Sequence, residues 1–191
     1  MKIGVLALQG AFKEHIEILN KLGVEGVEVR KKEDLKNIQG IILPGGESTT
    51  MGKLLVDLGI MDTLKNMIEK GFPVYGTCAG MILLAKSLVN DEKVHLGIMN
   101  IIVKRNAYGR QLGSFTCKAP VAGIGEDVEM VFIRAPYIEA SGNGIEVLAQ
   151  IEGNTVAARQ GNILVTSFHP ELTSDYRMHQ FFIDNLVKKS S

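Results

Sequence analysis

Pro73-Val74-Tyr75-Gly76-Thr77-Cys78-Ala79-Gly80-Met81-Ile82-Leu83-Leu84 is the stretch that decides the fold. Pro73 to Gly76 is a short apolar run, as expected of a strand buried on both faces. A tight Gly-x-Cys-x-Gly turn follows it. Apolar residues then continue into an expected helix, Met81 to Leu88. A strand running through a turn straight into a helix is the repeating unit of parallel sheets.

Working towards the N-terminus, the same unit recurs. Ile3 to Leu8 is almost wholly apolar, and Phe12, Ile16, Leu19 and Leu22 then return at helical spacing up to Gly23. Val24 to Arg30 reads as a second strand. Ile41-Ile42-Leu43 is a third, stopped by Pro44-Gly45-Gly46. Met51 to Leu58 and Met61 to Ile68 read as helices closed by Gly59 and Gly71. Towards the C-terminus the pattern changes. Ile98 to Lys104, Ser114 to Lys118, Val128 to Ile133, Val147 to Ile151, Val156 to Gln160 and Ile163 to Ser167 are strand-like, with little helix between them. Gly153-Asn154 and Gly161-Asn162 are expected hairpin turns. A last helix is expected from Asp175 as N-cap, burying Met178, Phe181, Phe182 and Leu186. The expected fold is therefore α/β: an open, mostly parallel, flavodoxin-like sheet with helices on both faces and antiparallel strands at its edge. With no linker or internal repeat, residues 1–191 read as a single domain.

Composition narrows the function. The chain has 191 residues, 46% hydrophobic and 22% charged, which suits a globular protein with its own core. Lys plus Arg is 21 and Asp plus Glu is 21. This balance lacks the basic excess of a nucleic-acid binder. No stretch is apolar for long enough to span a bilayer. Met1-Lys2-Ile3-Gly4-Val5 runs directly into strand pattern, without the marks of a secretion signal. Two cysteines in such a chain point to a reducing cytoplasm rather than a disulfide framework.

One of those cysteines has a chemical setting. Gly76-Thr77-Cys78-Ala79-Gly80 has the G-x-nucleophile-x-G pattern of a nucleophile elbow, in which the glycines allow a sharp turn and close packing. Cys78 would be lifted off the sheet edge at a helix N-terminus, where negative charge is stabilised. Ser167-Phe168-His169-Pro170-Glu171 supplies the complementary groups. If the chain is extended there, His169 and Glu171 point to the same side. A carboxylate on imidazole Nδ1 would then fix the tautomer and leave Nε2 free for Cys78. In Pro44-Gly45-Gly46-Glu47-Ser48, the backbone N–H groups of the glycines are candidates for an oxyanion hole. The N–H of Ala79 would be its second half. A phosphate cradle fits less well, because Glu47 would stand beside the phosphate and no Walker lysine is present. The same residues also admit a plainer reading, with Cys78 a packed thiol, His169-Pro170-Glu171 a surface turn and any arginine a solvated strand end. Cys117 reads as a packed strand residue. His15, His95 and His179 scatter without metal-ligand spacing.

Pro-Gly-Gly-Glu-Ser, Gly-Thr-Cys-Ala-Gly and Ser-Phe-His-Pro-Glu, in this order and spacing, resemble the class I (triad-type) glutamine amidotransferases. The resemblance runs through most of the chain. Leu8-Gln9-Gly10-Ala11, Leu43 to Thr50 and Phe132-Ile133-Arg134-Ala135-Pro136 are similar to one subfamily, the glutaminase subunits of pyridoxal 5′-phosphate synthase. The resemblance implies Cys78 as nucleophile, His169 as acid/base and Glu171 as its orienter. It implies a glutamine pocket lined by Gly45, Gly46, Glu47, Arg105, Ile133 and Arg134, and an oxyanion hole at Gly46 and Ala79. It implies L-glutamine as substrate, no cofactor and no metal. It also implies a separate synthase subunit, in a hetero-oligomeric complex, that receives the ammonia. A glutaminase serving purine or histidine synthesis, or a non-catalytic binding module of related fold, are the alternatives.

Overall fold

The computed structural model describes residues 1–107 and 113–190. Its N-terminal half contains β1 (Lys2–Leu6), α1 (Phe12–Lys21), β2 (Glu25–Val29), β3 (Gly40–Leu43), α2 (Ser48–Asp57), α3 (Met61–Glu69), β4 (Val74–Thr77) and α4 (Ala79–Leu84). The strands that follow are β5 (Ala85–Leu88), β6 (Met99–Lys104), β7 (Ser114–Val121), β8 (Gly125–Ile133), β9 (Tyr137–Ser141), β10 (Glu146–Ile151), β11 (Asn154–Gln160) and β12 (Ile163–Thr166). Helix α5 (Arg177–Phe182) then runs on into a π turn, Ile183–Val187.

The main sheet has the order β2-β1-β3-β4-β12-β11-β9-β6-β5, with β10 added on β11. From β2 to β12 every pairing is parallel. Beyond β12 the pairings turn antiparallel, apart from β5 with β6. β7 and β8 form a separate antiparallel ribbon. Successive strand residues face opposite sides, so two cores result. Leu6, Ile41, Leu43, Val74 and Val165 pack towards α2, α3 and α4. Ile3, Val5, Ile42, Tyr75 and Leu164 pack towards α1, α5 and β8. One face of the sheet is thus covered by α2, α3 and α4, and the other by α1 and α5 together with the β7–β8 ribbon. No helix of the described residues is long and apolar enough to cross a membrane.

Four local expectations are corrected. Helix α4 ends at Leu84, and Ala85–Leu88 is strand β5 rather than helix. The N–H groups of Leu96 and Ile98 donate to the Leu83 and Leu84 carbonyls, which ends the helix, and β6 then pairs with the extended residues. β9 was not expected. Its Tyr-Ile-Glu-Ala-Ser sequence has little apolar pattern, and it becomes a strand by lying between β6 and β11. The β10–β11 turn falls on Glu152 and Gly153, both with positive φ, and Asn154 already belongs to β11. Helix α5 begins two residues after Asp175, whose Oδ1 nevertheless accepts the Arg177 N–H at 3.1 Å.

Candidate active site

The site lies at the C-terminal ends of β4 and β12, adjacent parallel strands in which Thr77 is in register with Thr166. Ligands of open α/β sheets collect at this rim. Cys78 sits between β4 and α4 with φ 49 and ψ −103. Such a left-handed conformation is strained for a residue with a Cβ and persists only where its surroundings impose it. Here the Cys78 N–H donates to the Thr166 carbonyl at 2.8 Å, which pins the turn to the neighbouring strand. Close packing does the rest. A Cβ on Gly80 would run into the Leu43 carbonyl oxygen, so the helix can approach β3 only with glycine there.

His169 follows β12 and is also held by its backbone, its N–H donating to the Val131 carbonyl at 2.8 Å. Its Nδ1 lies 2.6 Å from Glu171 Oε1, a short charge-assisted contact. The predicted proximity is present, but the backbone that makes it differs. Pro170–Leu172 is a single 3₁₀ turn, so Glu171 curls back under the ring instead of lying two residues along an extended strand. Pro170 does keep His169 out of the helical region, at φ −103 and ψ 88. On the cleft side the His169 ring neighbours Cys78, the two lining the same cleft. Burial acts most strongly on this ring and favours the neutral form. The neighbouring Cys78 and the hydrogen-bonded Glu171 outweigh it and hold His169 protonated above the ordinary imidazole range.

A cleft of about 480 Å³ opens beside these side chains. Gly45, Gly46, Glu47, Cys78, Ala79, Arg105, Ile133, Arg134 and His169 all line it, so nearly every residue singled out from the sequence meets in one place. Gly45 lies flat against the His169 ring, where any Cβ would collide with Cε1. Ala79 opens α4, so its N–H belongs to the first helical turn, whose donors have no intrahelical acceptor. Glu47 has a second task. Its carboxylate caps α2, accepting from the N–H groups of Thr49 and Thr50 at 3.0 and 2.7 Å and from the Thr50 hydroxyl at 2.7 Å. The Thr50 hydroxyl, with the two backbone donors, pulls its pKa down to about 2. Arg105 stands between two carboxylates, 3.5 Å from Glu47 and 3.4 Å from Asp91. Asn106 and Arg134 on the cleft wall also have positive φ, 45 and 42. Glu171, behind His169, does not reach the cleft.

The structure adds three side chains to the site's surroundings. Gln9 Oε1 accepts the Glu47 N–H at 2.6 Å and so ties the loop after β1 to the Gly45-Gly46 loop. His15 and His179 are fully buried, His15 against Glu171 and His179 against His15. A signal for both histidines was present. His15 lies three residues after Phe12 and four before Leu19, on the core stripe of α1, and His179 precedes Phe182 by three. Among the described residues, no group of His, Cys, Asp and Glu is arranged to hold a metal ion.

A parallel sheet that presents a cysteine on a strained strand-to-helix turn, with a His–Glu pair on the next strand, defines the class of triad-type glutamine amidotransferases. A crystal structure of a glutamine amidotransferase superposes with TM-score 0.91 at 49% identity, covering 95% of this chain and 97% of that one. PurLQS from Thermotoga maritima shares the fold alone, with TM-score 0.71 at 16% identity over 97% and 98% of the two chains. Residues 5–188 match the model of the SNO glutamine amidotransferase family, and the chain belongs to that family. Its curated relatives include the pyridoxal 5′-phosphate synthase subunit PdxT of Streptococcus pneumoniae, strains ATCC 700669 and 70585, each 53% identical over the full length of both chains.

Proposed function

We propose that residues 1–191 act as one glutaminase domain that hydrolyses L-glutamine and passes the ammonia to a synthase subunit making pyridoxal 5′-phosphate. The observation that carries the chemistry is the His169 ring, bonded to Glu171 at 2.6 Å and lining one cleft with Cys78. The full-length similarity to PdxT supports the pathway and the partner.

In this reading the Cys78 sulfur attacks the side-chain amide carbon of glutamine. The carbonyl π electrons move to oxygen, and N–H groups at Gly46 and Ala79 stabilise that oxyanion. Imidazolium His169 gives its proton to the amide nitrogen. The C–N bond breaks, ammonia leaves, and a glutamyl thioester remains on Cys78. Neutral His169 then takes a proton from water as the water oxygen attacks the thioester. Glutamate departs and the Cys78–His169 pair is restored. Glu171 holds the imidazole tautomer and offsets its charge throughout. Arg105 and Arg134 supply donors for the substrate α-carboxylate, and Gly45, Glu47 and Ile133 shape the pocket.

The domain works in the cytoplasm and needs no cofactor or metal. A synthase subunit that binds better when the Gly46 N–H faces the oxyanion would raise turnover, since glycine accepts either peptide orientation at little cost. The test is mass spectrometry after treatment with diazo-oxo-norleucine, a glutamine analogue carrying an electrophile. A single adduct on Cys78, prevented by excess glutamine, is expected. An adduct elsewhere, or none, overturns the reading. Glutamate release with and without the purified synthase subunit measures the activation.

A further inference from the structure

Two histidines lie outside the triad, one in contact with Glu171 and the other in contact with the first. His15 on α1 and His179 on α5 are 164 residues apart in the chain, and both are fully buried. His15 Nδ1 is 2.8 Å from His179 Nε2. His15 Nε2 faces the site, 3.3 Å from Thr77 Oγ1 and 3.5 Å from Glu171 Oε2. That carboxylate oxygen is the one His169 does not use. It is buried and has no hydrogen bond, as has His179 Nδ1. Burying a carboxylate oxygen without a donor is expensive, so the orientation of the nearest donor matters.

Elementary bookkeeping settles that orientation. Burial above all, with the nearby His169 charge, holds His15 neutral, and burial alone takes His179 down to about 3. Each ring therefore carries one N–H and one lone pair. If His15 donated from Nδ1, its Nε2 lone pair would face the Glu171 carboxylate, and His179 Nδ1–H would be a buried donor without an acceptor. If His179 donates from Nε2 to His15 Nδ1, then His15 presents Nε2–H to Glu171 and to Thr77. Only a bare lone pair on His179 Nδ1 is then left over. The second arrangement has fewer unmet groups and no lone pair against the carboxylate. At 3.5 Å the last contact is long for a hydrogen bond, as such contacts often are before substrate binds.

We propose that His15, its tautomer set by His179, is a positioning residue for the triad: its Nε2–H holds the second oxygen of Glu171, so that the first keeps His169 aligned on Cys78. The inference rests on the glutaminase reading for its effect on turnover, though not for its effect on the Cys78–His169 pair. Neither histidine touches the cleft, so the pair acts on catalysis without contacting glutamine.

The test compares two substitutions of similar polarity in the full-length protein. His15→Gln places an amide N–H near the position of Nε2 and still reaches Glu171. His15→Asn places it near Nδ1 and reaches His179 only. Two readouts are taken. One is kcat and KM for glutamine hydrolysis with the synthase subunit saturating. The other is the rate of Cys78 alkylation by iodoacetamide against pH, with neither glutamine nor synthase present. His15→Asn is expected to lose about tenfold or more in kcat at unchanged KM, the scale on which partners one shell out from a working histidine act. Its alkylation profile moves to higher pH. His15→Gln stays within about threefold of the wild type in kcat, on the same estimate, and keeps the wild-type profile. His179→Leu, which frees the His15 tautomer, behaves like His15→Asn. Asn and Gln variants that match each other in both readouts, or a reversed order, overturn the proposal and leave His15 as packing. A wild type that alkylates at Cys78 yet releases no glutamate with the synthase would instead count against the glutaminase reading.

Discussion

The two arms of the site are held in different ways. Cys78 is positioned by backbone: a strained turn, a hydrogen bond to Thr166 and a helix that slides in against Leu43 because Gly80 has no side chain. His169 sits on a relaxed backbone, and its ring is positioned by side chains, Glu171 in contact and His15 and His179 behind it. In the proposed mechanism the nucleophile must be held where a substrate carbon arrives, and a stiff turn does this with few atoms. In that mechanism His169 carries a proton between partners, and a network that can redistribute charge suits that task. The comparison predicts that damage to the first arm appears in folding and damage to the second in rate.

The largest expected effect sets the reference for both arms. Cys78→Ala should remove glutamate production by roughly a millionfold, as loss of a triad nucleophile does elsewhere. Glutamine binding, measured by calorimetry, should persist. Turnover near the wild-type rate would break the whole scheme. Next is the backbone arm. Gly80→Ala pushes a methyl group into the Leu43 carbonyl and should cost about 3 kcal/mol in urea unfolding, the upper range for overpacking. An unchanged midpoint would show that the elbow is looser than its contacts imply.

The side-chain arm is probed by Glu171→Gln, which preserves shape and removes charge. kcat should fall by at least about tenfold, less than the roughly 10⁴ of an equivalent change in a serine triad, because a thiol needs less help from its base. KM and the unfolding midpoint should move little. A large stability loss with normal kcat would put Glu171 in the backbone class and erase the contrast.

The smallest effect is a pH dependence. The folded state raises the proton affinity of His169 above its unfolded value. The resulting stabilisation is complete below about pH 6.5, the unfolded pKa, and is lost as pH rises through the higher folded value. Between neutral and alkaline pH the wild type should therefore lose more stability than His169→Gln. Parallel curves in denaturant titrations at several pH values would show that the imidazolium is not stabilised by folding.

The same contrast explains which parts of the site could be read in advance. The elbow was visible as Gly76-Thr77-Cys78-Ala79-Gly80 because local sterics demand small residues at fixed spacing. The His169–Glu171 pair was visible as neighbours, but the bend that joins them is a 3₁₀ turn rather than a strand. Two residues apart, either geometry brings the groups together, so spacing alone did not distinguish them. His15 and His179 meet only because α1 and α5 cover the same face of the sheet. No short-range pattern links residues 164 apart. From the sequence Glu47 reads as a pocket residue, and its capping of α2 emerges only with the helix in place.

By itself the sequence determined the alternation of strand and helix, the position of Cys78 at a strand end, and the nearness of His169 and Glu171 to each other. Each of these rests on local forces: the period of apolar residues, the steric freedom of glycine and the conformational limits of proline. The tertiary structure alone decided that Ala85–Leu88 and Tyr137–Ser141 become strands, that Arg105 lies between Glu47 and Asp91, and that two distant histidines close over the far side of Glu171. These features depend on which segments the packed sheet brings together, because a backbone group or a buried charge takes its partner from whatever the fold places beside it.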